Sequence, residues 1–310
     1  MRKDGRILIT GATGFIGANL ARFFLKKGFD IHAFIRKGSD TWRIRDLISH
    51  IRSYGVDLSD VGAVEKAVVK IKPSYIFHAA AFGGYHFQNE AQKIISANFL
   101  GTVNLLNACK GLDYKLFVNT GSSSEYGLKS ILMKESDICE PVTDYGVSKV
   151  AATLFARALA QRDKRPIVTL RLFSPYGYYE GASRLVPSLI TAYLSGKAPE
   201  VSSPDCVRDF IFIEDVLSAY SKVIDKKGSV AGEIINIGSG RQYRVSDVSR
   251  AVARLTGSKA KPQWGKIANP RCEPKHWQAD ITKAKKLLGW QPKFGLEQGL
   301  EKTIGWYESL

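Results

Sequence analysis

Arg6-Ile7-Leu8-Ile9-Thr10-Gly11-Ala12-Thr13-Gly14-Phe15-Ile16-Gly17 opens the chain's ordered pattern and settles its architecture. A short apolar strand runs into a turn with glycine at every third position. Apolar side chains at Phe15, Ile16, Leu20, Phe23 and Phe24 then follow a helical period up to a stop at Gly28. Gly11 permits the tight turn, Gly14 puts no Cβ between the backbone and a pyrophosphate, and Gly17 lets the helix pack against the sheet. The free N–H groups and the positive end of the helix attract phosphates. Glycines also serve ordinary turns. The strand before and the helix after make this one a dinucleotide turn, with Thr13, Phe15 and Ile16 at its mouth.

Beyond the turn, strand and helix alternate. Strands are expected over residues 30–35, 53–56, 74–78, 114–119 and 166–172, and helices over 60–72, 90–110 and 145–161. Such alternation forces crossover connections, so the expected fold is α/β, a doubly wound parallel sheet covered on both faces. The rhythm breaks after Leu172, where Pro, Gly and Tyr crowd into residues 174–181. Residues 1–172 with 208–238 are expected to form the dinucleotide-binding domain, and residues 173–207 with 239–310 a smaller substrate-binding lobe. No internal repeat interrupts this plan.

Composition bounds the function. The 310 residues are 45% hydrophobic and 24% charged, which excludes disorder, collagen-like repeats and coiled coil. No apolar run approaches about 18 residues, so no membrane span is expected. Met1-Arg2-Lys3-Asp4 leads straight into an apolar run too short for a signal peptide. Lys and Arg number 45 against 29 Asp and Glu, a net charge of +16 that favours anionic partners. Nucleic acid and phosphorylated small molecules both qualify, but without a dense basic run most of these charges read as a dispersed surface. Cys109, Cys139, Cys206 and Cys272 lie too far apart for a zinc knuckle or a CxxC pair. They read as reduced thiols of a cytoplasmic protein without a metal site.

The ribose end of the cofactor is informative. An NAD binder commonly carries Asp or Glu at the end of the second strand, accepting from the 2′-hydroxyl. Here that strand ends Phe34-Ile35-Arg36-Lys37-Gly38-Ser39, with two cations and no carboxylate. A guanidinium pairs bidentately with a 2′-phosphate, so NADP is expected, with NAD as the alternative. The plain reading is a pair of solvated loop charges. Asp57-Leu58, after the third strand, places a carboxylate at the adenine edge, with an ordinary helix cap at Asp60 close by.

Tyr145-Gly146-Val147-Ser148-Lys149 opens the long later helix. Tyr and Lys four apart share a helix face. A nearby ammonium and a cationic nicotinamide both stabilise phenolate, so Tyr145 is suited to exchange a proton with a carbinol oxygen while hydride moves. Before it comes Thr120-Gly121-Ser122-Ser123-Ser124-Glu125-Tyr126-Gly127. A hydroxyl at the carboxyl end of a parallel strand faces the cofactor crevice and can orient the reacting oxygen. A run of serines also suits a plain turn.

Taken together, the GxxGxxG turn, His78-Ala79-Ala80-Ala81, Asn98 in NFLGTVN, SSSEYG, YGVSK, RDFIFIEDV and LGWQP resemble extended short-chain dehydrogenases/reductases. The likeness is to their NAD(P)-dependent sugar-nucleotide epimerase/dehydratase family, and it covers essentially the whole chain. The resemblance implies a Rossmann fold, a nucleotide-diphosphate sugar as partner, and a homodimer through a helix pair containing the Tyr145 helix. It implies Ser122 as the catalytic hydroxyl, Tyr145 as acid/base and Lys149 on the nicotinamide ribose, with Ala79 and Ala80 at the cofactor. It also implies Arg208 at the nucleotide diphosphate and, on the altered stretch Asn269-Pro270-Arg271-Cys272-Glu273, Arg271 as a second such arginine. A strand-edge ion pair for Arg208 and a loop charge for Arg271 are the plain alternatives. Ser123 and Ser174 fall at substrate-contact positions, although many epimerases carry Asn where Ser174 stands.

Departures from the family pattern narrow the reaction. The 4,6-dehydratases follow the catalytic Thr with Asp-Glu, where this chain has Ser123 and Ser124. Decarboxylases place Glu at the position of Ser124, and Glu125, one step on, would face the other side of a strand. Carbinol–ketone chemistry remains. The basic strand end favours an NADPH-dependent 4-keto-sugar reductase, with a 4-epimerase as the alternative. A hypothesis of another class is a Rossmann protein that senses dinucleotide or binds nucleic acid. The intact Ser122, Tyr145 and Lys149 set argues against it.

Overall fold

The computed structural model describes residues 5–85, 87–267 and 274–310. The backbone divides into two compact units, one of residues 1–127, 138–171 and 219–235, the other of residues 128–137, 172–218 and 236–310.

The first unit is built on strands β1 (Arg6–Thr10), β2 (Asp30–Phe34), β3 (Arg52–Tyr54), β4 (Tyr75–His78), β5 (Leu116–Ser122) and β6 (Ile167–Leu172). They lie in the order β3-β2-β1-β4-β5-β6, extended at the β6 edge by a seventh strand, Ile234–Ile237. β1 pairs in parallel with β2 and β4, β2 with β3, and β4 with β5. The order reverses between β1 and β4, which opens a crevice at their carboxyl ends. β1, β4 and β5 are almost entirely buried, as strands covered on both faces require.

Helix α1 (Phe15–Lys26) follows β1 and α2 (Val61–Ile71) follows β3. Asp60 caps α2, accepting from the Ala63 N–H at 2.9 Å. The single helix expected over residues 90–110 is three pieces: α3 (Ala91–Ile95), a π-helical turn (Ser96–Leu100) and α4 (Gly101–Ala108). The π-turn holds buried Asn98 and comes from no feature of apolar periodicity, which is why the sequence reads through it. Helix α5 (Asp144–Arg162) starts on a Thr143 cap, the hydroxyl accepting from the Gly146 N–H at 3.1 Å. One face of the sheet closes over Leu8, Ile76 and Phe117 with Val64, Val68, Leu105 and Ala156 from the helices. β5 runs three residues further than expected, to Ser122, and so carries its hydroxyl to the crevice end.

In the second unit, β7 (Pro175–Tyr176) pairs in parallel with β9 (Ile211–Phe212), and β8 (Val207–Arg208) antiparallel with β10 (Tyr243–Arg244). Asp209 organises its loops. Its carboxylate accepts from the backbone N–H groups of Ser239, Gly240 and Ala279 at 2.6, 3.1 and 3.0 Å. Among the described residues no helix is long and apolar enough to cross a membrane, and Cys109, Cys139 and Cys206 are free thiols.

Candidate active site

Gly11 takes φ +70°, the left-handed region that favours glycine, and a Cβ there would sit 2.6 Å from the Ala80 backbone. The glycine turn is therefore pressed against the end of β4, which brings Ala79 and Ala80 to it. A Cβ on Gly17 would collide with the Gly11 carbonyl. Gly17 thus packs on the turn itself, where packing against the sheet was expected. Thr13, Gly14, Phe15 and Ile16 remain half-buried at the mouth.

A pyrophosphate fits this mouth for a reason visible in the helix. Gly14 begins α1 with no side-chain cap, and the first turn carries no acid. Its N–H groups point out of a twelve-residue helix whose positive end faces the crevice.

Arg36 and Lys37, expected at the cofactor ribose, are exposed at the end of β2. Arg36 Nε lies 4.0 Å from Asp57 Oδ2, a loose solvent-exposed pair worth little by itself. Asp57 also accepts from the N–H and hydroxyl of Ser59 at 2.9 and 2.8 Å. The Ser59 amide is the leading cause holding its carboxyl below the usual range. Leu58 turns its carbonyl to Asn104 Nδ2, 2.8 Å away. A third cation escaped the sequence reading. Arg43 donates to the Thr13 carbonyl at 3.3 Å and lies over the Trp42 ring at 4.5 Å. The only signal for it is an aromatic–cation pair a few residues past the strand, which becomes meaningful once the chain folds back on the turn.

Ser122 ends β5 in extended conformation and caps the short 3₁₀ turn Ser123–Glu125. Its Oγ accepts from the Ser124 N–H at 3.1 Å, which leaves the hydroxyl proton to donate. Ser123 is buried within the turn. Glu125 lies on this turn and not on a strand. Its carboxylate folds inward to accept from the Ser122 N–H at 2.8 Å and from Arg171 Nε at 2.7 Å. Both partners of that ion pair are buried, and the guanidinium also covers the Tyr126 ring at 4.6 Å.

Helix α5 lies directly on this turn. A Cβ on Gly146 would sit 2.6 Å from the Ser124 carbonyl. Glycine at this position lets the Tyr145 turn settle against the end of β5. Tyr145 is half-buried in the first turn of α5 and Lys149, one turn later, is buried. Burial pushes the Lys149 ammonium down to about 8, against the opposing pull of the Glu125 carboxylate. Asn98 in the π-turn pins the same region. Its amide donates to Ser148 Oγ at 2.9 Å, and that hydroxyl donates to the Tyr145 carbonyl at 2.8 Å.

The first unit thus gathers Gly11 to Gly17, Arg36, Asp57, Ala79, Ala80, Ser122, Tyr145 and Lys149. Ser174 and Arg208 belong to the second unit. Ser174 is half-buried next to β7, its carbonyl accepting from the Ile211 N–H at 3.2 Å. Arg208 lies over the Trp277 ring at 5.3 Å and donates to the Val207 carbonyl at 2.7 Å. Arg271 lies outside the described residues.

Residues 7–238 match the model of the NAD dependent epimerase/dehydratase family. The chain belongs to this family. Within it, the chain is 29% identical over 315 residues to an uncharacterized UDP-glucose epimerase of Bacillus subtilis, covering 98% of each. It is 27% identical to a UDP-glucuronate 4-epimerase of Thermodesulfobacterium geofontis, covering 97% of this chain and 96% of that one. It is 28% identical to a dTDP-glucose 4,6-dehydratase of Haemophilus influenzae, covering 97% of both. Among solved structures, the UDP-glucuronic acid 4-epimerase of Bacillus cereus, in complex with UDP-glucuronic acid and NAD, superposes with a TM-score of 0.88. The two are 27% identical, with 98% of this chain and 99% of that one covered.

Proposed function

We propose that this family member is an NADPH-dependent oxidoreductase that reduces a keto group, at C4, of a nucleotide-diphosphate sugar. The observation that carries the reading is the end of β2: Arg36 and Lys37 stand exposed where an NAD binder has a carboxylate, with Arg43 anchored on the Thr13 carbonyl of the glycine turn. Cations at that strand end match a 2′-phosphate, and NADPH is the cell's reductive carrier. When bound, the cofactor supplies the hydride. Tyr145 then donates its proton to the ketone oxygen, and the Ser122 hydroxyl hydrogen-bonds the same oxygen to orient it. Lys149 favours the phenolate that results and holds the nicotinamide ribose. The diphosphate falls to Arg208 and Arg271, as the family resemblance implies. Elimination of water is disfavoured, because one Glu125 oxygen is committed to Arg171 and the other to the Ser122 amide.

A 4-epimerase is the second reading, favoured by the full-length similarity to enzymes of that name. The same groups serve it: Tyr145 first accepts the C4 hydroxyl proton and later returns it. Cofactor analysis of the purified protein separates the two. Tightly retained NAD(H) indicates epimerase. An empty site that takes NADPH, and oxidises it only with a 4-keto sugar nucleotide, indicates reductase. Salt-dependent nucleic-acid binding, with neither NADPH oxidation on any keto sugar nucleotide nor interconversion of C4 epimers, would sink both. Arg36→Ala and Arg43→Ala should each weaken NADPH far more than NADH; equal loss of both cofactors would end the 2′-phosphate argument. The homodimer is supported by apolar side chains exposed on α5, Val147 at 49% and Leu154 at 52%, and on α3 and the π-turn, Ile95 at 43% and Leu100 at 48%. Light scattering of the eluted protein tests it.

A further inference from the structure

His78 closes β4 beneath the glycine turn, is buried, and has no part in the chemistry above. Its Nδ1 lies 2.7 Å from Thr10 Oγ1 and its Nε2 2.8 Å from Thr102 Oγ1. The neighbours fix where the protons are. Thr102 donates its single hydroxyl proton to the Asn98 carbonyl at 2.6 Å. Toward His78 it therefore only accepts, and Nε2 carries the hydrogen. Desolvation pushes the ring's pKa down to about 3, with the Lys149 ammonium acting in the same sense, so the ring is neutral. Nδ1 is then bare and accepts from the Thr10 hydroxyl, which itself accepts from the Ala80 N–H at 3.3 Å.

The hydrogen bonds thus run in one direction, from the Ala80 amide through Thr10, His78 and Thr102 to Asn98. Asn98 holds what lies beyond. Its Oδ1 accepts from the Phe82 N–H at 2.7 Å, and its Nδ2 donates to the Phe82 carbonyl at 2.8 Å and to Ser148 Oγ, which bonds the Tyr145 carbonyl. Both ends of the chain border the site. Ala80 touches the glycine turn, and Asn98 steadies the first turn of α5.

We propose that His78, locked as its neutral Nε2–H tautomer, is a positioning residue that sets the cofactor turn against the turn bearing Tyr145. The catalytic half of this rests on the oxidoreductase reading; the tautomer and the two-armed linkage do not. Two variants separate the arms, since glutamine places its amide near Nε2 and asparagine near Nδ1. Affinity is read for whichever of NADPH and NADH the wild-type protein binds. His78→Gln keeps the donor to Thr102 and drops the acceptor for Thr10. Cofactor dissociation should then rise about ten-fold while turnover at saturation stays within about two-fold. His78→Asn keeps the Thr10 arm and drops the other. Cofactor affinity should stay within about two-fold, while the Phe82 amide exchanges about ten times faster and kcat falls by a similar factor. A side chain that merely fills space predicts the same losses from both variants, and that result would overturn the proposal. A nitrogen-15 spectrum placing the His78 proton on Nδ1 would do so as well. If the wild-type protein turns over no sugar nucleotide, the proposed function has failed, and affinity, amide exchange and tautomer still decide on His78.

Discussion

Replacing Lys149 with methionine should make the protein more stable and inactive at once. The ammonium is buried, and its pKa falls from the ordinary lysine value of 10.5 to about 8, with desolvation as the leading cause. That fall corresponds to about 3 kcal/mol by which the fold penalises the charged form. The sign follows from where the protons are. Below about pH 8 the folded protein carries the buried charge and the penalty stands in full. Between about 8 and 10.5 the unfolded chain binds a proton that the folded one does not, so stability rises with pH; above that window the penalty is gone. Lys149→Met removes the charge and leaves an unbranched side chain of similar length. Glu125 keeps its Arg171 partner, so no buried carboxylate is stranded. The variant should therefore exceed the wild type by about 3 kcal/mol at pH 7, with the gap closing as pH approaches about 10.5. Urea unfolding of both proteins across this range measures the gap, and taking the difference cancels the other groups that titrate there. A variant less stable than wild type at pH 7, or a gap that does not change with pH, would mean that the fold does not penalise the buried ammonium.

Other substitutions test other parts of the site. Tyr145→Phe should lower turnover by about two to four orders of magnitude with cofactor affinity nearly unchanged, as single-turnover kinetics and cofactor titration would show. Arg171→Met strands the Glu125 carboxylate in the interior and should cost about 3–5 kcal/mol in urea unfolding. Gly146→Ala puts a methyl against the Ser124 carbonyl. It should cost about 1–3 kcal/mol and lower kcat more than it raises KM, because the Tyr145 turn is displaced from Ser122.

The frame of the first unit is legible in the sequence because single residue types decide it. The glycines of the first turn and the spacing from Tyr145 to Lys149 each carry their meaning locally. The strand alternation fixes the sheet for the same reason, through buried apolar runs. What cannot be read is whatever depends on which strands become neighbours. Arg43 looks like a loop cation until the chain doubles back to the Thr13 carbonyl. Glu125 looks like a strand-end carboxylate until Arg171, from β6, claims it. His78 is one letter in a motif until Thr10 and Thr102 arrive on either side of its ring. The π-turn at Asn98 is invisible for a related reason. One extra residue in a helical turn barely alters apolar periodicity, while it changes which side chains face α5.

The bare start of α1 has a thermodynamic consequence. Its leading amides have no side chain to answer them, so a dinucleotide bound there would complete the helix as well as occupy a site. Any ligand that binds only the folded form adds RT ln(1 + [L]/Kd), about 2.7 kcal/mol at a hundred-fold excess over Kd. Melting temperature should accordingly climb with added dinucleotide, and a preparation stripped of it should denature earlier than one stored with it.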